Sequence, residues 1–293
     1  MQEAIQKRPR NTMDVGNRDA LIIPVPPEPF ALIVGAAMQG GSSDAVETAL
    51  RRMGLKPERV DGDGADVAVR VAAPRFRLTF GAVSVLAGPA ADAALDLADP
   101  DHPSTSLLAA SLPRRWRESG ACWVFIPERD SKSDGTPGPS TEQPTRMREF
   151  FKMMVLLIDL FDASHIFWSP ARLWSDAPQF RASIAEMLAS GMPPVLHLVA
   201  FRRRENGTDA SMGTRGLVLF AGQELEARIP VGWTVAEMVR RLSRLALDMM
   251  LNGPVRHART MRGLETGEWI DLSPGASGGS RWSTVVVEFG RDA

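Results

Sequence analysis

The sequence predicts an α+β protein made of two ferredoxin-like (β-α-β-β-α-β) halves packed together, with mostly antiparallel sheets. Three observations carry that expectation. Short apolar or alternating runs recur between Gly- and Pro-rich turns, which is how strands read. Amphipathic stretches of period 3.6 lie between them. The order of strands and helices in residues 27–127 then recurs in residues 145–293, across a stretch at 128–144 dense in Ser, Pro, Gly and Asp.

Residues 1–26, polar and without periodicity before "IIPVPP", read as a mobile arm. The apolar run Phe30 to Val34 is the first strand. Ser43 and Asp44 then cap a helix with Val46, Ala49, Leu50 and Met53 on its apolar face and Gly54 as its stop. Val67 to Val71 alternates at period two, Pro74-Arg75 turns the chain, and "FRLTFGAVSVLAG" returns it. A helix over Ser106–Glu118 and a strand over Cys122–Ile126 complete the first half. Residues 128–144 read as a flexible linker. Arg146 to Phe161 follows as a strongly apolar helix suited to the centre of the molecule. The second half continues with a strand at 164–168, a helix over Ala177–Ala189 stopped by Gly191, and strands at 194–201 and 215–220. A long helix over Thr234–Leu251 leads to two late strands, "EWIDL" and "STVVVEF".

Composition narrows the chemistry. The chain has 293 residues, 44% hydrophobic and 24% charged, enough for a sizeable core. A net charge of −1 exerts no global pull on nucleic acid or anionic membrane. Arginine outnumbers lysine 30 to 4, which reads as codon bias of a GC-rich bacterial genome. The single cysteine, Cys122, excludes an internal disulfide and Cys-based zinc sites, and the absence of tyrosine removes phenol chemistry. There is no apolar signal region at the N-terminus and no apolar run long enough to span a bilayer, so a cytoplasmic location is expected.

The loudest catalytic pattern is "SPGASGGSRW" (273–282), whose "GASGG" fits G-x-S-x-G. A nucleophile elbow needs a strand before the serine and a helix after it. Here a β-branched strand follows, and no histidine stands in a trypsin-like context, so the stretch reads as a hairpin loop. "DGDGAD" (61–66) lacks the ligands of a calcium loop at its fifth and twelfth positions and reads as a turn. His165 and His197, each in an apolar run, would share a face with Asp159 or Asp162 if their strands were neighbours. Trp168, Ser169, Trp174 and Asp176 would form a binding lip at a strand end, or the indoles would cover the core. Basic sets at Arg202, Arg203 and Arg204, at Arg240, Arg241 and Arg244, and at Arg256, His257, Arg259 and Arg262 would bind phosphate if they converged, and otherwise form solvated faces.

Several stretches carry a resemblance: "RRWRESGACWVFIP", "HIFWSPARLWSDAPQF", "GTRGLVLFAGQELEA", the helix ending "LNGP", and "LSPG" before the last strand. Over residues 110–290 the chain resembles the bacterial domain of unknown function 4261 family, departing at "FAGQELE", where that family more often shows a Gly-Leu-Pro turn. None of these motifs is a catalytic signature, so the resemblance implies architecture and no activity. The expected function is that of a non-enzymatic bacterial protein that binds another protein, in a regulatory or toxin-neutralising role. The alternatives are an enzyme using His165 and His197 with nearby carboxylates, and a phosphate or nucleic-acid binder through the arginine sets. No cofactor or metal is expected, a protein partner is favoured over nucleic acid or membrane, and the oligomeric state is left open.

Overall fold

Five consecutive buried residues, Ala31–Gly35, form β1, and such an unbroken apolar run is what a strand enclosed on both faces requires. The computed structural model describes residues 30–36, 42–60, 70–81, 83–128, 143–206, 209–275 and 283–291. After β1 come α1 (Ser43–Arg52), β2 (Lys56–Arg59), β3 (Phe76–Phe80), β4 (Val83–Pro89), α2 (Asp92–Leu97), β5 (Ser106–Leu107) and β6 (Ala121–Pro127). Next are α3 (Gln143–Leu160), β7 (Ala163–Trp168), β8 (Leu173–Asp176), α4 (Ala177–Ser190), α5 (Val195–Leu198), β9 (Ala200–Asn206) and β10 (Asp209–Arg215). The chain ends with α6 (Val218–Ala221), β11 (Gln223–Arg228), α7 (Val235–Asn252), β12 (Arg259–Arg262), β13 (Glu268–Pro274) and β14 (Ser283–Arg291).

The fold is mixed α+β with two mostly antiparallel sheets. One has eight strands in the order β2-β3-β4-β6-β1-β7-β8-β5, the other six in the order β12-β13-β14-β11-β10-β9. β1 is antiparallel to both β6 and β7, so those two run parallel with β1 between them and α3 as the crossover. That is a split β-α-β unit, and it draws one strand from each expected half. The boundary between the sheets falls between β8 and β9, not at residues 128–144, so the two-half division does not follow the sheets. The arm at 1–26, the alternating run at 67–69, "DGDGAD" and most of the linker lie outside the described residues.

Several expected elements change. The helix read over Ser106–Glu118 is instead β5, an irregular stretch and a single 3-10 turn at Trp116–Glu118. Pro113 explains the change, because its ring occupies the amide a helix would need. The strand expected at 194–201 opens as α5, so His197 sits on a helical turn. The strand expected at 215–220 is mostly α6, because Gly216 (φ 96°) breaks β10 and Gly222 (φ 72°) ends the helical turn. The loop around "GASGG" does join a hairpin: β13 and β14 are antiparallel neighbours, and the Gly275 amide bonds to the Thr284 carbonyl. Residues 276–282 of that loop lie outside the described residues.

One connected core runs from the inner face of the larger sheet through α3, α4 and α7 to the inner face of the smaller one. Phe150, Phe151, Met154, Leu157 and Phe161 supply its centre from α3 and the residue just beyond it. A smaller cluster, with Leu32, Val124, Phe167, Trp116 and Trp174, fills the outer face of the larger sheet beneath residues 90–120. Among the described residues no helix is long and apolar enough to cross a membrane. Trp168 packs between Phe150 and Phe151 at centroid distances of 6.1 and 5.7 Å. Trp168→Ala should therefore cost about 3–5 kcal/mol. Urea unfolding, read by circular dichroism, checks this and should show both sheets melting in one transition.

Candidate anion-binding site

Three arginines meet where the two sheets adjoin, and each is placed by a different segment. Arg172 occupies the β7–β8 turn in a left-handed conformation (φ 46°), an unusual state for a side chain of that size. Its carbonyl accepts from the Ser106 amide at 2.8 Å, which ties the turn to β5. Arg202 lies on β9, the edge strand, opposite Gly213 of β10. Arg215 ends β10 opposite Ala200. Side chains alternate across a strand, so Arg202 and Arg215 share the face of the smaller sheet opposite Met212, which faces the core. Gly213, bearing no side chain, lies on that same face.

A loop at Asp99–Thr105 completes the surround. Arg172 Nη2 donates to Thr105 Oγ1 at 3.3 Å, and Arg202 Nη2 donates to the Pro103 carbonyl. Within the loop, Thr105 Oγ1 donates to the Asp99 carbonyl, and His102 Nδ1 accepts from the Ser104 amide at 3.1 Å. Arg172 is 3% exposed and Arg215 8%. Four of the guanidinium nitrogens are buried without any hydrogen-bond partner among the described residues: Arg172 Nε, Arg202 Nη1, and Arg215 Nε and Nη2.

The electrostatics agree with the geometry. Burial is the main cause pulling all three guanidiniums below the ordinary arginine value, and each is lowered further by neighbouring arginines. Arg215 falls to about 10. His102 is lowered by burial and then by Arg172; Asp99 pulls the other way, more strongly than Arg215 or Arg202 adds to the lowering. Glu224 opposes the charge of Arg215 and is itself raised by burial; its oxygens accept from Thr214 Oγ1 and from the Gly216 and Val218 amides. Buried charges are normally paired, and buried donors normally bonded. Here positive charge accumulates with its donors unfilled.

Of the arginines singled out in the sequence, only Arg202 belongs to this cluster. Arg203 pairs with Glu205 and Arg204 with Glu226. Arg240 pairs with Glu265, and Arg244 donates to the Gly263 carbonyl. Arg241 is fully buried; it bonds both oxygens of buried Glu268 and lies 4.1 Å from the Trp233 ring centroid. The arginine sets therefore do not converge as phosphate ligands. Arg172 and Arg215 were missed because each stands alone in sequence, without basic neighbours to mark it.

The expected binding lip is core instead. Trp168 (1% exposed) and Trp174 (0%) point to opposite faces of the larger sheet, and Trp174 Nε1 donates to the Ala98 carbonyl. Ser169 Oγ accepts from the Phe30 amide at 2.8 Å. Asp176 is engaged with Ser111 Oγ at 2.6 Å, and His165 Nε2 lies 3.2 Å from the same hydroxyl. His165 shares the outer face with Phe167, whereas His197 Nδ1 lies 3.2 Å from Ser175 Oγ on the inner face. The two imidazoles are thus separated by the sheet and cannot share a ligand. The Ser111 hydroxyl is directed to Asp176, so His165 does not act as its base in this arrangement. Among the described residues no group of His, Cys, Asp and Glu is set to hold a metal ion. Burial pushes the Cys122 thiol up to about 11, which disfavours its thiolate.

Two clefts elsewhere carry less chemistry. One of about 230 Å³ is lined by Val46, Pro74, Pro89, Cys122 and Trp123. Another, of about 320 Å³, is lined by Ile158, Pro178 and the already paired Asp159 and Arg181. No protein-family model matches the chain, and neither does any curated protein or solved structure.

Two expectations follow for stability. Glu268→Ala leaves buried Arg241 with only the more exposed Glu265 beside it and should cost about 3 kcal/mol, measurable by guanidinium unfolding. His102, His165 and His197 are all held below 6.5 by burial, so the unfolded chain binds more protons. Their contribution is complete above pH 6.5 and is lost as pH falls through the folded values. Calorimetric melting temperatures should thus drop below pH 6.5, and drop less in His197→Gln.

Proposed function

We propose that this protein binds an anionic ligand through Arg172, Arg202 and Arg215, and that it acts as a binding protein. The observation that carries this reading is the set of four buried guanidinium nitrogens without partners. Water in the site would fill donors but would leave the charge of three adjacent guanidiniums, which Asp99 and Glu224 oppose only in part, without a bound counter-ion; an anion does both. Arginine suits the task because its fork stays charged and matches phosphate and carboxylate oxygens. Since the free nitrogens are shielded from solvent, a ligand enters by displacing Arg202, the half-buried member on the edge strand.

The expected protein partner remains within this proposal as the bearer of the anion. So do the cytoplasmic location and the kinship with the domain of unknown function 4261 family, neither of which adds chemistry to the site.

The test reads stability with and without ligand. Arg215→Met removes one of three repelling charges and should raise the ligand-free stability by about 1–4 kcal/mol. Inorganic phosphate should raise the melting temperature of the wild type and leave Arg215→Met unmoved. A variant that is less stable, with phosphate inert on the wild type, overturns the reading.

A further inference from the structure

The geometry points to a narrower ligand: we infer that the site takes the terminal phosphate of a monoester as its dianion, in preference to a carboxylate or the diester backbone of a nucleic acid. This rests on the anion-site reading above and adds the ligand's chemical class.

The donor count is the first argument. The unpartnered nitrogens come from three guanidiniums on three segments: the β7–β8 turn, β9 and the end of β10. A carboxylate has two coplanar oxygens, which a single guanidinium fork can satisfy. The free fork of Arg215 together with the single free nitrogens of Arg172 and Arg202 instead matches a group with three terminal oxygens arranged as a pyramid. A phosphate monoester is such a group, and a diester, with two, is not.

Charge is the second argument. The groups that act on these guanidiniums are each other, Arg204, Asp99 and Glu224. Arg204 already pairs with Glu226, and Asp99 and Glu224 oppose the three guanidiniums only in part, so the cluster stays positive. The dianion presents three unprotonated acceptor oxygens to it, whereas the monoanion spends one of the three on its proton. His102 fits the same ligand: its Nδ1 accepts from Ser104, so the neutral ring carries its proton on Nε2 and adds a donor without adding charge.

Enclosure is the third. The free nitrogens have no contact with bulk water, so a ligand must insert its end. A backbone diester continues on both sides of its phosphorus and would have to thread the site, whereas a monoester terminates in it.

The experiment is calorimetric titration of the full chain with four small probes at low ionic strength: methyl phosphate, dimethyl phosphate, acetate and sulfate. Methyl phosphate should bind at least about tenfold tighter than dimethyl phosphate or acetate at pH 7.5, a factor worth one guanidinium contact. A phosphate group gains its second charge near pH 6. Methyl phosphate should therefore weaken by about tenfold between pH 7.5 and pH 5 relative to sulfate, which keeps its charge and corrects for any protonation of His102. Equal binding of dimethyl phosphate or acetate, or no pH dependence relative to sulfate, would overturn the dianion proposal and leave the anion site standing. If no probe binds, and Arg172→Gln and Arg215→Gln titrate like the wild type, the anion site itself falls.

Discussion

β1 has no exposed residue, and each of its two backbone edges is filled, by β6 on one side and β7 on the other. Every other strand of the larger sheet is attached through one of those two edges, so the sheet exists only if this five-residue run is threaded between them. Its end shows how tight the threading is. A side chain on Gly35 would begin 2.5 Å from the Phe161 carbonyl oxygen, and one on Gly120 would begin 2.7 Å from the Gly35 carbonyl oxygen. Bare backbone at both positions lets the end of α3 close onto the strand, and α3 in turn carries the aromatic centre of the core.

That rigid frame explains how an unfavourable cluster of arginines can be held at its rim. Arg241 gives the internal comparison. It is as deeply buried as Arg172, but Glu268 neutralises it and Trp233 stacks against it. Arg172, Arg202 and Arg215 have no equivalent acid, and the backbone that presents Arg172 is itself in a disfavoured conformation. Strain and unpaired charge together at one point are tolerated because the surrounding strands and core determine the positions of all three residues.

Elements with a complete local signal were legible in the sequence. α1, α4 and α7 carry their stops in order, with Thr234 and Glu237 forming a reciprocal cap on α7, although α1 is capped by Ser42 rather than by Ser43 or Asp44; β6, β13 and β14 alternate or run apolar as strands should. What was not legible depends on tertiary pairing. β5 is two residues long and exists only because Ser106 and Leu107 lie beside β8. α6 looks like a strand from its composition, and only the positive φ of the flanking glycines turns it. The site was hidden for the same reason. Of the arginines clustered in sequence, Arg203, Arg204 and Arg240 are met by acids and Arg241 is buried against Glu268, while Arg202 is brought to Arg172 and Arg215 by strand register and by a turn between sheets.

The strand borders of the two sheets show a further role for the arginine excess. An unpaired strand edge is an open template on which another chain can grow. Among the described residues the four edges are β2, β5, β9 and β12. β2 reads Lys-Pro-Glu-Arg, β9 carries Arg202, Arg203 and Arg204, and β12 reads Arg-Thr-Met-Arg, while β5 is too short to template anything. A neighbouring strand docking on β9 or β12 would have to bury guanidiniums or swing them aside. The residues that make the composition look like codon bias thus also guard the molecule against joining sheet to sheet with its own copies.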